Sequence, residues 1–464
     1  MAGDTTLMLS ISGLRGVIGA SLTPPVAARY GAAIGSWLRE STGKDAPHVV
    51  VGRDSRPSGE LVERAVVAGL GATGCRITTL GIASTPATAV MVEHLRADGG
   101  VVVTASHNPI VWNGIKTLRH DGLAPPPDQA TRIIDRFTRD DVRYADVHGL
   151  HPVEHNDTAA AVHVDRVLPH IDAGAVRRRR PRVVLDSVHG AGGPEAALLL
   201  RQLGAQVVHL YAEPTGQFPH TPEPTAENLT GLCAAVREHR ADIGFAQDPD
   251  ADRLAIVDET GRYIGEEYTL ALCALHVLSR RPQVASPKPL TVAANLSTSR
   301  MIDDIAARFG AVCVRTPVGE ANVADAMRRH EAIVGGEGNG GIILPGVTYV
   351  RDSLVGIALV LEMMASTGQT LSALASQIPV YCIVKDKLPI ADGLAQRAIV
   401  RLTDIFAGQR LDTQDGLRID IEAEKRWVHV RPSNTEPILR IIAEARTQAA
   451  AQELVTRCRE AVSG

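Results

Sequence analysis

Two short motifs in this sequence carry residues that can act on phosphate groups. The first, TASHNP at residues 104–109, follows an apolar run at 101–103 that predicts a buried strand, with a glycine pair punctuating the chain before it. Ser106 is therefore expected on a tight loop at a strand end, where α/β proteins place reactive groups. An activated serine hydroxyl in this position is a nucleophile or a phosphate carrier, although a Ser-His pair alone more often forms only local hydrogen bonds.

The second motif, DPDADR at residues 248–253, lies between strand-like runs at 241–246 and 254–258. Its three carboxylates, Asp248, Asp250 and Asp252, can turn toward one hard cation such as Mg²⁺ rather than zinc. A calcium-type loop or a solvated acidic turn is the alternative. An EF-hand, however, requires a glycine after the third acid, a later glutamate and flanking helices. Arg253 follows the third acid instead, and an arginine beside a metal triad suits a phosphate or a phosphoryl group in transfer.

Together with GEGNGG at 336–341 and RPSNTEP at 431–437, these motifs resemble those of the α-D-phosphohexomutase family, which comprises phosphoglucomutases, phosphomannomutases and phosphoglucosamine mutases. The four motifs occur in the family's order, and the resemblance spans nearly the whole chain. It implies three related mixed α/β/α sandwich domains and a C-terminal α+β domain around a central cleft. It also implies an enzyme that interconverts hexose 6-phosphate and α-hexose 1-phosphate through a phosphoserine and a bisphosphate, with Mg²⁺ and a hexose 1,6-bisphosphate primer.

The resemblance assigns catalytic roles by position. Ser106 carries the phosphoryl group and gives an oxygen to the Mg²⁺ held by the three aspartates, while Arg253 holds the transferring group. Lys116, one of only six lysines in the sequence, corresponds to the family's general acid/base, a role that arginine cannot take because it stays protonated. His107 either assists proton transfer or forms only local hydrogen bonds.

Further positions follow from the same resemblance. Arg15 corresponds to an active-site arginine, although the preceding Ser-Gly-Leu departs from the family's usual pattern. The turn at 52–56 is also similar to the family's, and Arg53 and Asp54 are expected to support the site without contacting substrate.

Sugar and phosphate recognition are assigned to the later motifs. Carboxylate and amide groups suit paired hydroxyls, so Glu337 and Asn339 are predicted to bind the sugar, with Thr316 and Gly319 beside its faces. Many relatives end this loop with a histidine, which is absent here. A phosphate needs hydroxyls, an amide, backbone N–H groups and a guanidinium; the predicted set for the non-reacting phosphate is Arg431, Ser433, Asn434, Thr435 and, more weakly supported, Arg440.

The motifs do not decide which hexose phosphate is the substrate. The Asn-Gly-Gly ending of the sugar loop and the segment 218–224 are similar to the archaeal-type phosphoglucosamine mutase branch, which favours glucosamine phosphates over glucose or mannose phosphates. A metal-dependent sugar-phosphate phosphatase would not need the sugar and phosphate loops. An inactive sugar-phosphate sensor predicts loss of Ser106, an aspartate or Lys116, and all are present.

Composition narrows the class of protein. The chain has 464 residues, 45% of them hydrophobic and 3% aromatic, so several domains with aliphatic cores are expected. A formal net charge of −4 gives no general basic surface for nucleic acid or anionic membrane, and the arginine run 177–180 is predicted to be a solvated helix end or a linker.

The six cysteines lack C-x-x-C spacing, which argues against zinc and disulfides. With neither a signal pattern nor a membrane-length apolar run, a cytoplasmic protein acting on a small molecule is expected, and homo-oligomer formation stays open.

Strand-like and helix-like segments alternate in β-α-β units, which predicts parallel sheets. The tail from residue 380 differs, with strand-like pieces and a final helix that indicate an α+β domain. The polar stretch 148–156 is predicted to be a linker. The predicted domains are domain I with the phosphoserine loop (1–150), domain II with the metal loop (151–257), domain III with the sugar loop (258–369) and the phosphate-binding C-terminal domain (370–464).

Overall fold

The computed structural model describes residues 7–281, 288–389, 394–433 and 438–463. By compactness the chain divides into two units, each discontinuous in sequence. The first contains the residues up to His276 together with Gly340–Ala375, and the second contains Val277–Asn339 together with the residues from Ser376 onward. Two of these divisions, after His276 and after Asn339, fall inside the predicted third domain, 258–369.

The first sheet has seven strands in the order β1-β2-β6-β5-β3-β4-β7. Pairing is antiparallel from β1 to β5 and parallel from β5 to the β7 edge. Its strands are β1 (Met8–Ser10), β2 (Gly13–Val17), β3 (His48–Arg53), β4 (Arg76–Ile82), β5 (Gly99–Val103), β6 (Trp112–Arg119) and β7 (Val153–His155). The helices of this part of the chain are α1 (Pro24–Thr42), α2 (Gly59–Ala72), α3 (Thr85–His94), α4 (Pro127–Arg139), α5 (Ala159–Val167) and α6 (Ala173–Arg179).

Two local predictions in this sheet need correction. Gly99 and Gly100 do not precede the buried strand but belong to it, because neighbouring atoms leave no room for side chains. A Cβ on Gly99 would lie 2.8 Å from the Leu118 carbonyl oxygen, and one on Gly100 would lie 2.5 Å from Val92 Cγ2. The polar stretch 148–156 is not simply a linker, since its residues 153–155 form β7 and pair in parallel with β4.

The second sheet has the order β11-β10-β8-β9, in which β8 pairs in parallel with β9 and β10, while β10 and β11 are antiparallel. Its strands are β8 (Arg182–Asp186), β9 (Gln206–Leu210), β10 (Ile243–Gln247) and β11 (Leu254–Asp258). The associated helices are α7 (Gly193–Gln202), α8 (Thr230–Glu238) and α9 (Glu267–Ser279). The antiparallel β10–β11 pair brings both ends of the acidic motif to one edge of this sheet.

The third α/β segment places β13 and β14 in parallel on either side of β12. Its elements in the second unit are β12 (Thr291–Asn295), α10 (Met301–Arg308), β13 (Val312–Thr316), α11 (Glu320–Arg329) and β14 (Val334–Glu337). The following elements, which lie in the first unit, are β15 (Gly341–Ile343), α12 (Ser353–Thr367) and α13 (Leu371–Ala375).

The C-terminal segment is an antiparallel sheet in the order β16-β20-β19-β18-β17. Its elements are β16 (Cys382–Pro389), α14 (Leu394–Ile405), β17 (Arg410–Asp412), β18 (Leu417–Ile421), β19 (Arg426–Pro432), β20 (Ile438–Ala445) and α15 (Gln448–Ser463). Short 3₁₀ turns occupy Val147–Gly149, Leu168–His170 and Glu422–Glu424. Three α/β segments followed by an α+β segment confirm the predicted fold class.

The cores are aliphatic, as the composition predicts. Valine, leucine, isoleucine and alanine dominate the buried residues, and Trp427 and Tyr30 are among the few large aromatic side chains that are fully buried. Within the described residues, no helix combines the length and the hydropathy that crossing a membrane requires.

Candidate active site

Ser106 lies just beyond the carboxyl end of β5, in the loop that leads to β6. Its side chain is buried, and its backbone φ of 51° is in the left-handed region that non-glycine residues rarely occupy. Such a conformation costs about 1–3 kcal/mol and persists only where surrounding contacts impose it. One of these contacts is local, since Ser106 N donates to Thr104 Oγ1 at 2.9 Å and Thr104 Oγ1 donates to Asp54 Oδ2 at 2.6 Å.

Arg56 holds the same loop from the protein interior. Its guanidinium is buried and pairs with Asp54 at 3.1 Å. The guanidinium also donates to four backbone carbonyls of the loop, those of Ser106 (2.5 Å), Asn108 (2.7 Å), Pro109 (2.8 Å) and Trp112 (3.1 Å). Five rigid N–H donors in one plane are what arginine offers and lysine does not. Arg56 therefore fixes the path of the chain from Ser106 to the start of β6.

The acidic motif forms the loop between β10 and β11. Asp248, Asp250 and Asp252 are all buried, and one carboxylate oxygen from each lies within 4.8 Å of the others. Ser106 Oγ donates to Asp248 Oδ2 at 2.9 Å. The structure thus brings together two motifs that are 142 residues apart in sequence.

The donor set at this loop fits a hard divalent cation. Asp250 Oδ1 and Asp252 Oδ1 are buried and have no hydrogen-bond partner in the part of the chain that the structure describes. A buried carboxylate oxygen without a partner is costly. Burial, together with the adjacent negative charges of Asp250 and Asp252, raises the pKa of Asp248 well above its ordinary value. A cation with oxygen ligands, such as Mg²⁺, would satisfy these oxygens and relieve the repulsion.

Lys116 reaches the acidic loop from β6. Its Nζ lies 2.7 Å from Asp250 Oδ2 and 3.6 Å from Asp252 Oδ2. Burial alone lowers the pKa of Lys116, but these two carboxylates outweigh it and raise the pKa above its ordinary value. Arg15 on β2 pairs in register with Gly114 on β6, two residues from Lys116. Burial lowers the pKa of the Arg15 guanidinium, and Asp250 and Asp252 partly offset that effect.

His107 and Arg253 share a neighbour that the sequence analysis did not identify. His107 Nδ1 lies 3.4 Å from Ser106 Oγ, and its Nε2 lies 3.9 Å from Glu223 Oε1. Arg253 Nη1 lies 3.8 Å from the same Glu223 oxygen. Burial, reinforced by the positive charges of Arg253 and Arg15, lowers the pKa of His107 to about 3. The imidazole is therefore neutral at pH 7 and resists protonation.

Two more residues contact the aspartates and were missed by the sequence analysis. Arg351 Nη2 lies 2.5 Å from Asp252 Oδ2. Thr85 Oγ1 donates to Asp250 Oδ2 at 2.7 Å, and Thr85 N donates to the Asp250 carbonyl at 2.9 Å. Both residues lie at a helix start, Thr85 as the first residue of α3 and Arg351 just before Asp352, the N-cap of α12. The only sequence signal was this position at helix N-termini.

The second unit contains the predicted sugar-binding residues. The buried Glu337 accepts hydrogen bonds from Asn295 Nδ2 (2.7 Å) and Gly319 N (3.1 Å), and Asn339 Nδ2 lies 3.4 Å from its other oxygen. The Oδ1 atom of Asn339 is buried without a hydrogen-bond partner among the described residues. Gly319 has a φ of 126°, which favours glycine. The structure therefore brings Glu337, Asn339 and Gly319 together; Thr316, at the end of β13, donates to the Pro317 carbonyl.

The predicted phosphate-binding residues lie on β19 and β20 of the same unit. Arg431 and Arg440 are directly opposite each other in the antiparallel pair, an arrangement that is unfavourable for like charges. Asp415, which the sequence analysis missed, lies 3.0 Å from Arg431 Nε and also accepts from Val318 N at 3.0 Å. Ser433 N donates to the Ile438 carbonyl. The other two predicted members, Asn434 and Thr435, lie outside the described residues.

Comparison with known protein families gives four matches in chain order. The descriptions are phosphoglucomutase/phosphomannomutase alpha/beta/alpha domain I over residues 8–143, domain II over 161–261, domain III over 266–381, and the C-terminal domain over 380–461. The chain belongs to the phosphoglucomutase/phosphomannomutase family. The resemblance drawn from the four sequence motifs is thereby confirmed.

Relatives within the phosphoglucomutase/phosphomannomutase family cover nearly the whole chain. A phosphoglucomutase/phosphomannomutase of Thermococcus kodakarensis is 38% identical over 95% of each sequence. A probable phosphoglucosamine mutase of Methanopyrus kandleri is 37% identical over 97% of this chain and 98% of its own. A crystal structure of a family protein from Burkholderia thailandensis superimposes with a TM-score of 0.85 at 30% identity, covering 98% of both chains.

Gly340 directly precedes the position where many family members have a histidine, and the structure requires a glycine at residue 340. Gly340 has a φ of 86°, and a Cβ there would lie 2.6 Å from the Leu254 carbonyl oxygen. Gly340 also accepts a hydrogen bond from Leu254 N at 3.0 Å through its own carbonyl. This position is therefore tied to the start of β11, directly after the acidic motif, whatever residue follows it.

Proposed function

We propose that the chain is a phosphohexomutase that interconverts hexose 6-phosphate and α-hexose 1-phosphate through a phosphorylated Ser106. The observation that carries this proposal is the 2.9 Å hydrogen bond from Ser106 Oγ to Asp248 Oδ2, within a buried cluster of three aspartates. A phosphate carrier and a cation site lie side by side there. A general acid/base candidate, Lys116, lies on the same cluster, 2.7 Å from Asp250.

In the proposed reaction, phosphorylated Ser106 gives its phosphoryl group to the free hydroxyl of a hexose phosphate. The P–O bond to serine breaks, a P–O bond to the sugar forms, and the product is a hexose 1,6-bisphosphate. The bisphosphate reorients and returns its other phosphoryl group to Ser106. The same bisphosphate, supplied from outside, is the proposed primer for unphosphorylated enzyme.

Each transfer needs a proton moved at both oxygens. Lys116 is proposed to act at the sugar oxygen, since its ammonium can donate a proton when the phosphoryl group returns to serine and, once neutral, can accept one in the opposite step. His107 is proposed to assist proton transfer at serine through a hydrogen bond, because its neutral Nδ1 lies 3.4 Å from Ser106 Oγ.

Binding of the transferring phosphoryl group is assigned to positively charged groups. Mg²⁺ held by Asp248, Asp250 and Asp252 and by an oxygen of phosphorylated Ser106 would neutralise negative charge on the phosphoryl group. Arg15 and Arg253 are proposed to hold that group, since guanidinium groups match phosphate oxygens in geometry as well as charge.

The second unit is proposed to recognise the rest of the substrate. Glu337 and Asn339, with the loop of Thr316 and Gly319, are assigned to the sugar hydroxyls. The non-reacting phosphate is assigned to Arg431, Ser433, Asn434, Thr435 and Arg440. The opposed arginines of β19 and β20 support this assignment, because directly opposite residues project from the same face of a sheet and so offer a phosphate two guanidinium groups.

Glucosamine phosphate is the proposed preferred substrate, with glucose or mannose phosphate as the alternative. The similarity to a probable phosphoglucosamine mutase of Methanopyrus kandleri and to a phosphoglucomutase/phosphomannomutase of Thermococcus kodakarensis is nearly equal, at 37% and 38% identity. The cytoplasmic location and homo-oligomer formation stay predictions.

The test is the kcat/KM for the 1-phosphates of glucosamine, glucose and mannose, measured with Mg²⁺ and a hexose 1,6-bisphosphate. Ser106→Ala is the essential variant, and Ser41→Ala, an exposed serine of α1, is the matched control. We expect turnover in the wild type and in the control, and a phosphate adduct on Ser106 by mass spectrometry. Turnover by Ser106→Ala would rule out this mechanism, and release of inorganic phosphate without isomerisation would favour a phosphatase.

A further inference from the structure

A cavity lies on the first unit outside the candidate active site. It has a volume of about 420 Å³ and opens between the edge strand β9, helix α7 and the end of α6. Its walls include two arginines, one histidine and several small or apolar residues: Arg180, Ala197, Arg201, Ala205, Val207 and His209. Cavities of a few hundred cubic ångströms with convergent polar groups are typical of small-molecule sites.

The two arginines of this cavity carry positive charge that no acidic residue neutralises. Neither Arg180 nor Arg201 forms an ion pair with any described residue. Arg180 belongs to the arginine run 177–180, yet its neighbours in that run have structural partners. Arg177 Nε donates to the Gln202 carbonyl at 2.7 Å, and Arg179 donates to the carbonyls of Met364 and Gln369.

The backbone presents Arg180 at a defined position. Arg180 follows α6 as its C-cap, with a φ of 50°, and its N–H donates to the Val176 carbonyl at 3.1 Å. The left-handed cap ends the helix and turns the chain toward β8. The cavity therefore has two guanidinium groups that lack an acidic partner among the described residues. Their N–H donors match the oxygens of a phosphate or diphosphate group.

His209 connects the cavity to the metal loop through a chain of hydrogen bonds. Its Nε2 lies 2.9 Å from Ser187 Oγ, and Ser187 Oγ donates to Gln247 Oε1 at 3.1 Å. The single hydroxyl proton of Ser187 is used on Gln247, so His209 Nε2 is the donor in the first bond. Gln247 Nε2 in turn donates to Ser353 Oγ at 2.8 Å.

The last members of this chain touch the loop that carries the aspartates. Gln247 directly precedes Asp248, and Ser353 N donates to the Ala251 carbonyl at 3.2 Å. Ser187, Gln247 and Ser353 are all buried. Gln247 is also packed against Gly192, where a Cβ would lie 2.8 Å from its Nε2. A buried polar group that loses its partner costs about 1–3 kcal/mol, so a shift of His209 must either propagate along this chain or break it.

We propose that this cavity binds a small molecule bearing a phosphate or diphosphate group, with Arg180 and Arg201 as the anion ligands. Its occupancy adjusts the metal loop through His209, Ser187 and Gln247. The effect on activity rests on the proposed function, whereas the binding itself does not. Asp186, the carboxylate at the end of β8, pairs with His220 at 3.1 Å and forms no ion pair with the two arginines.

Binding is tested by calorimetric titration of the full chain with inorganic pyrophosphate, without Mg²⁺ or sugar phosphate. The variants are the double substitution Arg180→Gln with Arg201→Gln, and the control Arg178→Gln, which removes an exposed arginine of the same run that does not line the cavity. We expect the wild type and the control to share a binding event, separate from any at the candidate active site, whose Kd is weakened by about tenfold or more in the double variant. Equal titrations in all three proteins would overturn the proposal.

Coupling is tested by hydrogen exchange of the peptide that covers residues 247–253, with and without pyrophosphate. We expect a change in the wild type that is absent from the double arginine variant, and a Ser187→Ala variant that still binds pyrophosphate but shows no change in this peptide. Pyrophosphate that acts at the aspartates or the active-site arginines would change the peptide in all variants alike, and that result would contradict the proposal. A thermal melt of each variant confirms that it is folded.

Discussion

Arg56 donates to the backbone carbonyl of Ser106 at 2.5 Å from a fully buried position. The loop of Ser106 is therefore fixed through its main chain, and the serine side chain faces Asp248. A backbone contact of this kind holds the loop in the same path whether Ser106 carries a hydroxyl or a phosphate.

Replacing Arg56 by methionine should destabilise the protein strongly. The substitution leaves Asp54 as an uncompensated buried charge and removes the donors of four loop carbonyls, and breaking a buried pair in this way costs about 3–5 kcal/mol. Urea denaturation measures the loss. Arg64→Met is the control, since Arg64 pairs with Glu60 on the exposed face of α2 and should change stability by less than about 0.5 kcal/mol. Equal stability of the two variants would show that the Arg56 contacts carry little energy.

Replacing Asp250 by asparagine should remove Mg²⁺ binding. The wild type should gain roughly 2.7 kcal/mol of stability at Mg²⁺ concentrations of about 100 times Kd, because ligand that binds only the folded state stabilises it by mass action. Thermal melts with and without Mg²⁺ measure this gain. The variant should show none, while Asp45→Asn, at an exposed position, should keep it. A full gain in the Asp250 variant would place the cation elsewhere.

Lys116→Arg should separate charge from proton transfer. The guanidinium keeps a positive charge beside Asp250 but does not titrate, so kcat should fall by roughly 10²–10⁴ while Mg²⁺ affinity changes little. Steady-state kinetics and a Mg²⁺ titration on the same preparation provide both readouts. Lys44→Arg, on the exposed Lys44–Asp98 pair, serves as the control. A wild-type kcat in the Lys116 variant would exclude this residue as the acid/base.

His163 should make the stability of the first unit depend on pH above neutrality. It is buried between Glu195 (2.8 Å) and Asp352 (2.7 Å). Burial lowers its pKa, but the two carboxylates outweigh that effect and raise the pKa to about 10. Because the folded state holds the proton more tightly than the unfolded chain, the stabilisation is full below about pH 6.5 and is lost as the pH rises through 10.

Denaturation at a series of pH values between 6 and 10 checks this prediction. The wild type should lose stability steadily across the range, and His163→Gln should show a flatter profile from a lower starting value. His239→Gln, an exposed histidine at the end of α8, should leave the wild-type profile unchanged. Parallel profiles for the wild type and the His163 variant would mean that the imidazole is neutral in the folded protein.

What the sequence predicted was local. Ser106 and the three aspartates sit in short motifs whose chemistry is complete within six residues, and the structure brings them together. The turn at 52–56 contains two arginines, and the sequence could not show which of them contacts the Ser106 loop, because the answer depends on the direction in which the chain leaves β3. Arg56 makes that contact, whereas Arg53 pairs with Glu63. Asp415 gave no signal either, since its two partners come from segments about a hundred and about sixteen residues away.

The predicted boundaries of strands were wrong where packing outweighed the conformational preference of the residues. Glycine ordinarily weakens a strand interior, so Gly99 and Gly100 indicated a turn, yet the narrow space beside Leu118 and Val92 makes them members of β5. The edge strand β7 was missed because its three side chains are all exposed and two of them are polar. An edge strand tolerates this composition, which in a sequence also indicates a linker.

The discontinuity of the first unit sets an order on its folding during synthesis. Chains emerge from the ribosome N-terminus first, and domains tend to fold as they emerge, but the loop at 248–253 takes partners from residues synthesised about a hundred positions later. Arg351 pairs with Asp252, and Ser353 bonds to Gln247 and Ala251. A nascent chain that ends before Arg351 contains Ser106, Lys116 and the three aspartates. It lacks Arg351 and Ser353, whose contacts hold the aspartate loop in place. The cation-binding loop is therefore completed late, which delays the appearance of activity until most of the polypeptide has been made.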